Sequence, residues 1–410
     1  MTEPANVPVH RRAPRGAVFW LLSGQLIMFT GIAALFPIAP LYVAHRGGNS
    51  IAIAAFVAGP LIANTLVQVP AGHLADRFGR RPLLIWTRVA YVALSLVLFL
   101  DVGPLWVLIL VRTLEGAASG AYVPALLATL TDLTEPGRRT ERFAQQQASE
   151  TAGLVVGPLL GGLIALWRDS GAFGISGLFV LIGLIPMLRV PETMAHRPRT
   201  AAAAPRFRWR RRSIVVPSLG LFAVGTLYAM YDVVWPQYLG ARGYGAFVVG
   251  LTISLFALPI LFLARPAGRL ADRTDLRRLV PSSFLVVAAC CAGYPFLRTL
   301  VPILLVGEVE AAGIVFAEPS LYAAIGTSAA EHERGRALGV GGSFQFAGTG
   351  FGAAVLGSLY GVNTGVPFWG GASFMVAGAV VCALGLPRRA TVGPAGIVPP
   401  PPTVREREIV

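Results

Sequence analysis

Gly72-His73-Leu74-Ala75-Asp76-Arg77-Phe78-Gly79-Arg80-Arg81-Pro82 is a short charged stretch set between two long apolar runs. A near copy, Gly268-Arg269-Leu270-Ala271-Asp272-Arg273-Thr274-Asp275-Leu276-Arg277-Arg278, follows 196 residues later, about half the chain length away. A charged turn repeated at that distance in so apolar a chain points to a membrane protein built from two similar halves.

Composition supports this. Of the 410 residues, 55% are hydrophobic and only 13% charged, and the mean hydropathy is +0.66. A soluble domain carries about 25% charged residues. Apolar runs of about 18 residues or more recur along the chain, each long enough to span a bilayer as a helix. The period-2 alternation of a membrane β-barrel is absent. The net charge of +14 would suit a nucleic-acid partner, but its distribution does not. All 34 basic residues are Arg. With the N-terminus placed inside, 27 fall in cytoplasmic segments, four in external loops (Arg46, Arg168, Arg242, Arg298) and three in spans (Arg88, Arg112, Arg265). That asymmetry follows the positive-inside rule and sets the orientation.

Twelve spans are expected, at about 17–43, 50–70, 84–101, 104–130, 143–167, 172–189, 214–240, 247–266, 280–298, 300–327, 337–361 and 367–387. The first is too long for a cleaved signal. The chain divides into a cytoplasmic segment 1–16, a six-helix half 17–189, a basic linker 190–213, a second half 214–387 and a Pro-rich cytoplasmic tail 388–410. In the linker, Arg206-Phe207-Arg208-Trp209-Arg210-Arg211-Arg212 suits a segment lying on anionic lipid better than a nucleic-acid site. The halves match beyond the opening motif. At an offset of 195, Glu115 meets Glu310, Pro124 meets Pro319, and Gly153, Gly157 and Gly162 meet Gly348, Gly352 and Gly357. At 196, Pro40, Tyr42, Arg46 and Gly47 meet Pro236, Tyr238, Arg242 and Gly243. Two parallel six-span halves are a secondary-transporter architecture.

Gly72 to Pro82 resembles, almost position for position, the loop between spans two and three of the major facilitator superfamily. Leu108, Arg112 and Glu115-Gly116 resemble the family's span-four motif, with Glu115 where Gln is usual. Gly31 and Pro37-Ile38-Ala39-Pro40 resemble the span-one motif of its twelve-span drug:proton antiporter branch. Gly153-Leu154-Val155-Val156-Gly157-Pro158-Leu159-Leu160-Gly161-Gly162 is similar to the span-five signature that separates that branch's antiporters from symporters and uniporters. The resemblance covers the whole chain. It implies an all-α fold of twelve transmembrane helices in two pseudo-symmetric halves. It also implies a gate latch at Gly72, Asp76, Arg77, Gly79, Arg80 and Arg81, with a weaker copy at Asp272 and Arg273. Asp275 stands in that copy where a Gly is expected.

The residue types fit these roles. Gly72 and Gly79 permit a tight turn, and Asp76 can pair with an Arg or face a helix N-terminus. Gly153, Gly157 and Gly161 form one helical stripe that lets another helix approach closely. Pro158 bends that helix, and Gly162 completes the motif. Charges inside spans are costly and usually functional. Arg112 and Glu115 lie one turn apart on one face, and Arg112 matches the family's buried Arg, implicated there in proton movement. Glu150 continues the glycine stripe, Asp232 lies near Tyr228, Tyr231 and Trp235, and Glu310 and Glu318 share one span and face roughly the same way. An apolar site favours a carboxyl's neutral form, as a proton carrier needs. Arg112, Glu115, Glu150, Asp232 and Glu310 are therefore the proton-coupling candidates, with Asp232 and Glu115 ranked first. Phe36, Tyr228, Asp232, Trp235 and Glu318 are the candidates for the substrate cavity.

Signatures of an enzyme are missing. There is no phosphate-binding loop, the five His show no metal spacing, and Cys290, Cys291 and Cys382 read as helix packing. No cofactor is expected. The expected partners are the lipid bilayer, a small molecule and protons, not nucleic acid, with the chain a monomer in the plasma membrane and both termini cytoplasmic. The activity expected is proton-coupled efflux of small amphipathic or cationic compounds. The alternatives are a metabolite or sugar exporter or symporter, or a transport-inactive membrane sensor on the same fold.

Overall fold

The computed structural model describes residues 16–135, 139–193, 210–329 and 334–386. The N-terminal segment, most of the linker and the Pro-rich tail lie outside them, as do the side chains of Asp76 and Asp272. Among the described residues every regular element is helical, so the backbone satisfies its own polar groups without water.

The first half contains α1 (Ala17–Ala33), α2 (Ala39–His45), α3 (Ser50–Phe78), α4 (Arg80–Leu100), α5 (Leu105–Asp132), α6 (Arg139–Ile164) and α7 (Gly171–Met187). The second contains α8 (Arg212–Ala229), a π turn (Met230–Val234), α9 (Trp235–Gly240), α10 (Ala246–Phe256), α11 (Leu258–Arg273), α12 (Leu276–Gly293), a 3₁₀ turn (Tyr294–Phe296), α13 (Leu300–Ser328), α14 (Arg334–Leu359) and α15 (Val366–Gly385). Joined across their breaks, α1 with α2, α8 with α9 and α10 with α11, the helices make twelve rods. Among the described residues, on length and composition alone, six helices qualify to cross a membrane, seven if α10 and α11 count as one bent span.

The two halves repeat one packing scheme. In the first, α1 packs on α6 and α7, α4 on α5 and α7, and α3 on α5. In the second, α8 packs on α14 and α15, α12 on α13 and α15, and α11 on α13. The expected first span of the first half is broken at residues 34–38, while that of the second is continuous over Arg212–Gly240 and carries the π turn Met230–Val234 at the equivalent place, 196 residues on. Pro40 and Pro236, just beyond, remove a backbone donor each.

The halves meet through α3 on α14 and α6 on α10, a reciprocal pair. These contacts cluster at one end, the far face, where α2 and α9 also meet. There, Cβ atoms built on Gly361, Gly162 and Gly250 would stand 2.7 Å from Ser50 Oγ, 2.6 Å from the Ala246 carbonyl and 2.2 Å from the Pro158 carbonyl. The opposite end, the linker face, carries the α3–α4 turn, the end of α7 and the start of α8. Built Cβ atoms on Gly268 and Gly339, toward this end, meet nothing within 4 Å. The inter-half contacts at Gly361, Gly162 and Gly250 thus lie toward the far face.

Each half also fastens its broken helix at the far face in the same way. Tyr42 Oη donates to Asp101, and Arg46 Nη1 donates to the same carboxylate at 3.0 Å. Of their counterparts, Tyr238 Oη donates to the Tyr294 carbonyl at 2.6 Å, with the Leu297 carbonyl at 3.2 Å, and Arg242 Nη2 donates to the Leu297 carbonyl at 3.2 Å. Asp101 and Leu297 are themselves 196 apart.

Candidate functional site

The charged motif near the linker face is mostly helix. α3 continues through Gly72 to Phe78, so Gly72 makes no turn. Gly79 alone breaks the chain, at φ +104°, a region that favours glycine. In the second copy Asp275 replaces that device: its side chain accepts from Arg277 N at 3.1 Å and caps α12. The helix is thus ended by backbone freedom in one half and by a capping carboxylate in the other.

The arginines of the motif hold their own half together. Arg80 is buried, donates to the Ala128 carbonyl at 2.8 Å and forms an ion pair with Asp132. Arg81 Nη2 donates to the Leu188 carbonyl at 2.8 Å, and Arg277, its counterpart at 196, donates to the Leu386 carbonyl. Arg77 lies over the Phe78 ring at 5.3 Å. Glu192, at the start of the linker, accepts from the backbone N–H groups of Arg80 (3.2 Å) and Arg81 (3.0 Å). A carboxylate there satisfies orphan donors and the positive end of α4. Nothing in the sequence reading singled out Glu192 or Arg277; their partners lie over a hundred residues away. The latch assigned to Asp76 and Asp272 falls on side chains outside the described ones.

The α6 stripe is a close seam. Built Cβ atoms on Gly153, Gly157 and Gly161 would lie 2.9 Å from Thr30 N, 2.4 Å from Thr30 O and 1.8 Å from Ala34 O on and just beyond α1. One residue on from Gly157 and Gly161, and so on the adjoining face of the helix, Pro158 and Gly162 face α10 of the other half. The motif therefore sits where α1, α6 and α10 meet.

Five of the membrane-embedded carboxyls occupy separate sites. Glu115, fully buried, pairs with Arg112 and accepts from Ser95 Oγ. Glu310, its counterpart, is equally buried but accepts from neutral donors, Tyr294 Oη at 2.5 Å and Cys291 Sγ at 3.4 Å. Gly307 stands where Arg112 would be, with the Phe256 ring packed against it. Glu150 accepts from Gln25 Nε2 (2.9 Å) and Gln146 Nε2 (2.6 Å). Glu318 accepts from Tyr228 Oη and from Gln345 Nε2 at 2.8 Å. Asp232 lies in the π turn of the second half and is half-buried.

Two sequence expectations are corrected here. Glu310 and Glu318 do not share a face: eight residues on an α-helix turn about 80° past two full turns, and they address α12 and α8 with α14 respectively. Trp235 is not a cavity wall. It is 1% exposed, its Nε1 donates to Thr252 Oγ1 at 2.8 Å, and it sits among Tyr231, Tyr238, Phe256 and Tyr294. Burying so large a ring with its N–H partnered is the favourable arrangement. Phe36, in the break after α1, and Tyr228 are half-buried. Among the described residues no group of His, Cys, Asp and Glu could hold a metal ion.

The profile of the Major Facilitator Superfamily matches residues 21–317 and again 217–409. The chain belongs to the Major Facilitator Superfamily. It is a multi-pass membrane transporter of small molecules, a class distinct from enzymes. It is 22% identical over 386 residues to the quinolone resistance protein NorA of Staphylococcus aureus (strain MSSA476), covering 91% of this chain and 97% of that protein. Over 329 residues it is 26% identical to the class B tetracycline resistance protein of Escherichia coli, covering 76% and 79%. The crystal structure of a D-xylose-proton symporter superposes with a TM-score of 0.73 at 16% identity, covering 90% of this chain and 98% of that one. This last likeness concerns the fold.

Proposed function

We propose that this transporter exports small amphipathic, often cationic compounds in exchange for protons. Substrate binds between the halves, and rocking of the halves exposes it to one face and then the other. The observation that carries the reading is Asp232: a half-buried carboxyl set in the π turn of the second half's first helix, inside a membrane-spanning segment. A proton or a cation arriving at Asp232 changes the charge held in that span, which couples occupancy to the rocking of the halves. Phe36, Tyr228 and Glu318 complete the proposed cavity, and Glu115, Glu150 and Glu310 are further proton-coupling candidates. The α6 motif at the meeting of α1, α6 and α10 supports exchange rather than uptake. The resistance proteins named above, similar over most of their length, support efflux.

The proposal includes twelve membrane crossings, a monomer in the plasma membrane, both termini cytoplasmic, and a gating role for Gly72 to Arg81 and for Asp272 and Arg273. The test is efflux of a fluorescent cation such as ethidium from energised cells producing the protein. Export should stop when the pH gradient is dissipated. Export that continues without the gradient would exclude proton coupling and favour a facilitated metabolite carrier.

A further inference from the structure

Arg88, on α4, is a buried cation that the proposed mechanism does not use. It is 3% exposed, and its guanidinium lies 3.5 Å from the centroid of the Tyr122 ring on α5. Its Nε and Nη1 have no hydrogen-bond partner among the described residues. Tyr122 Oη donates to Gln25 Oε1 on α1 at 2.9 Å, and Gln25 Nε2 donates to Glu150 on α6 at 2.9 Å. Gln146 adds a second donor to Glu150 at 2.6 Å. Four helices therefore converge on one cation and one carboxyl bridged by a tyrosine and a glutamine.

The second half shows that the fold does not require this chamber. At the equivalent positions Arg88 becomes Phe284, Gln25 becomes Leu221 and Tyr122 becomes Ala317, all fully buried. Phe284 packs there against Ala223 and Gly378, as an apolar core does. Burying a guanidinium costs several kcal/mol unless it is matched, and apolar side chains of similar volume serve packing as well or better. Only the Glu150 position stays polar there, as Gln345, which donates to Glu318 at 2.8 Å, so the buried cation and its two bridging residues are particular to the first half and point to work beyond packing.

We propose that Glu150 is a proton-exchanging group of the first half and that Arg88, acting through Tyr122 and Gln25, is its positioning residue. The inference rests on the antiport reading. The step is a proton transfer from water on the open side to a Glu150 carboxylate oxygen, with no other bond made or broken. The guanidinium keeps its proton throughout. Protonation leaves Arg88 buried without a counter-charge, so the chamber must rearrange. Glu150 lies on the same stripe of α6 as Gly153, Gly157 and Gly161, so the rearrangement acts on the α1–α6 seam and on the helix that meets α10 of the other half.

The test is a double-mutant cycle on the full chain with R88Q, E150Q and R88Q/E150Q, and with R88K as the conservative variant. In detergent each single Gln variant should lose about 5 °C or more of apparent Tm, and the double variant should regain most of it. Additive losses would overturn the pair. In liposomes, protons moved per ethidium transported should fall at least tenfold in E150Q, and R88K should keep more coupling than R88Q. Wild-type coupling in E150Q would overturn the inference and leave antiport standing. Wild-type protein that moves no proton with ethidium would overturn the antiport reading and the proton role together.

Discussion

Replacing Gly250 with alanine tests how the halves close. The new Cβ would stand 2.2 Å from the Pro158 carbonyl oxygen, 2.9 Å from its carbon and 3.4 Å from the Gly162 Cα. Ordinary contact needs roughly 1 Å more, and backbone atoms of α6 cannot swing aside as a side chain can. Overpacking of this kind costs about 1–3 kcal/mol. The cost falls on the conformation closed at the far face, because a state open there separates α10 from α6. A bias of about 1–3 kcal/mol shifts the two populations by about 5–150-fold. Spin labels at Val102 and Val362, exposed far-face positions on opposite halves, would report it as a longer mean distance in pulsed EPR. Gly350→Ala is the control, since its Cβ comes no nearer than 3.4 Å to Ile62 across the same boundary. Identical distance distributions in Gly250→Ala and wild type would refute the claim that the α6–α10 contact closes the far face.

Gly157→Leu should abolish export, because even a Cβ there lies 2.4 Å from the Thr30 carbonyl; retained efflux of ethidium would show that the α1–α6 seam tolerates separation. Glu192→Ala removes the carboxylate that caps α4, at a cost of about 1 kcal/mol, and should lower the apparent Tm by about 2–4 °C; an unchanged melting curve would show the cap to be idle. Trp235→Phe removes the hydrogen bond to Thr252 and should cost about 1 kcal/mol of stability while the affinity for ethidium in a binding titration stays at the wild-type value; a large loss of affinity would return Trp235 to the cavity wall.

The two-half helical fold was legible because apolar runs and a charged turn at half-length are local features. The pairing of Arg112 with Glu115 was legible for the same reason, being one helical turn long. The break at 34–38 and the π turn Met230–Val234 were not, although Pro40 and Pro236 marked their positions, because apolar composition continues through both. The extension of α3 to Phe78 was missed because Gly72 reads as a turn residue and is helical here. Arg88 carried a signal, a charge inside a span, but its meaning depends on Tyr122, Gln25 and Glu150 arriving from three other helices. Glu192 and the Asp101 clasp likewise take their roles from partners distant in sequence.

The most direct test of the central claim uses purified protein in liposomes with a pH-sensitive dye trapped inside. A pH gradient is imposed and lipophilic cations and neutral drugs are added in turn. Proton-coupled export through Asp232 predicts substrate-triggered proton movement in the wild type and its loss in Asp232→Asn. Proton movement that persists undiminished in Asp232→Asn, or that no compound evokes in the wild type, would contradict it.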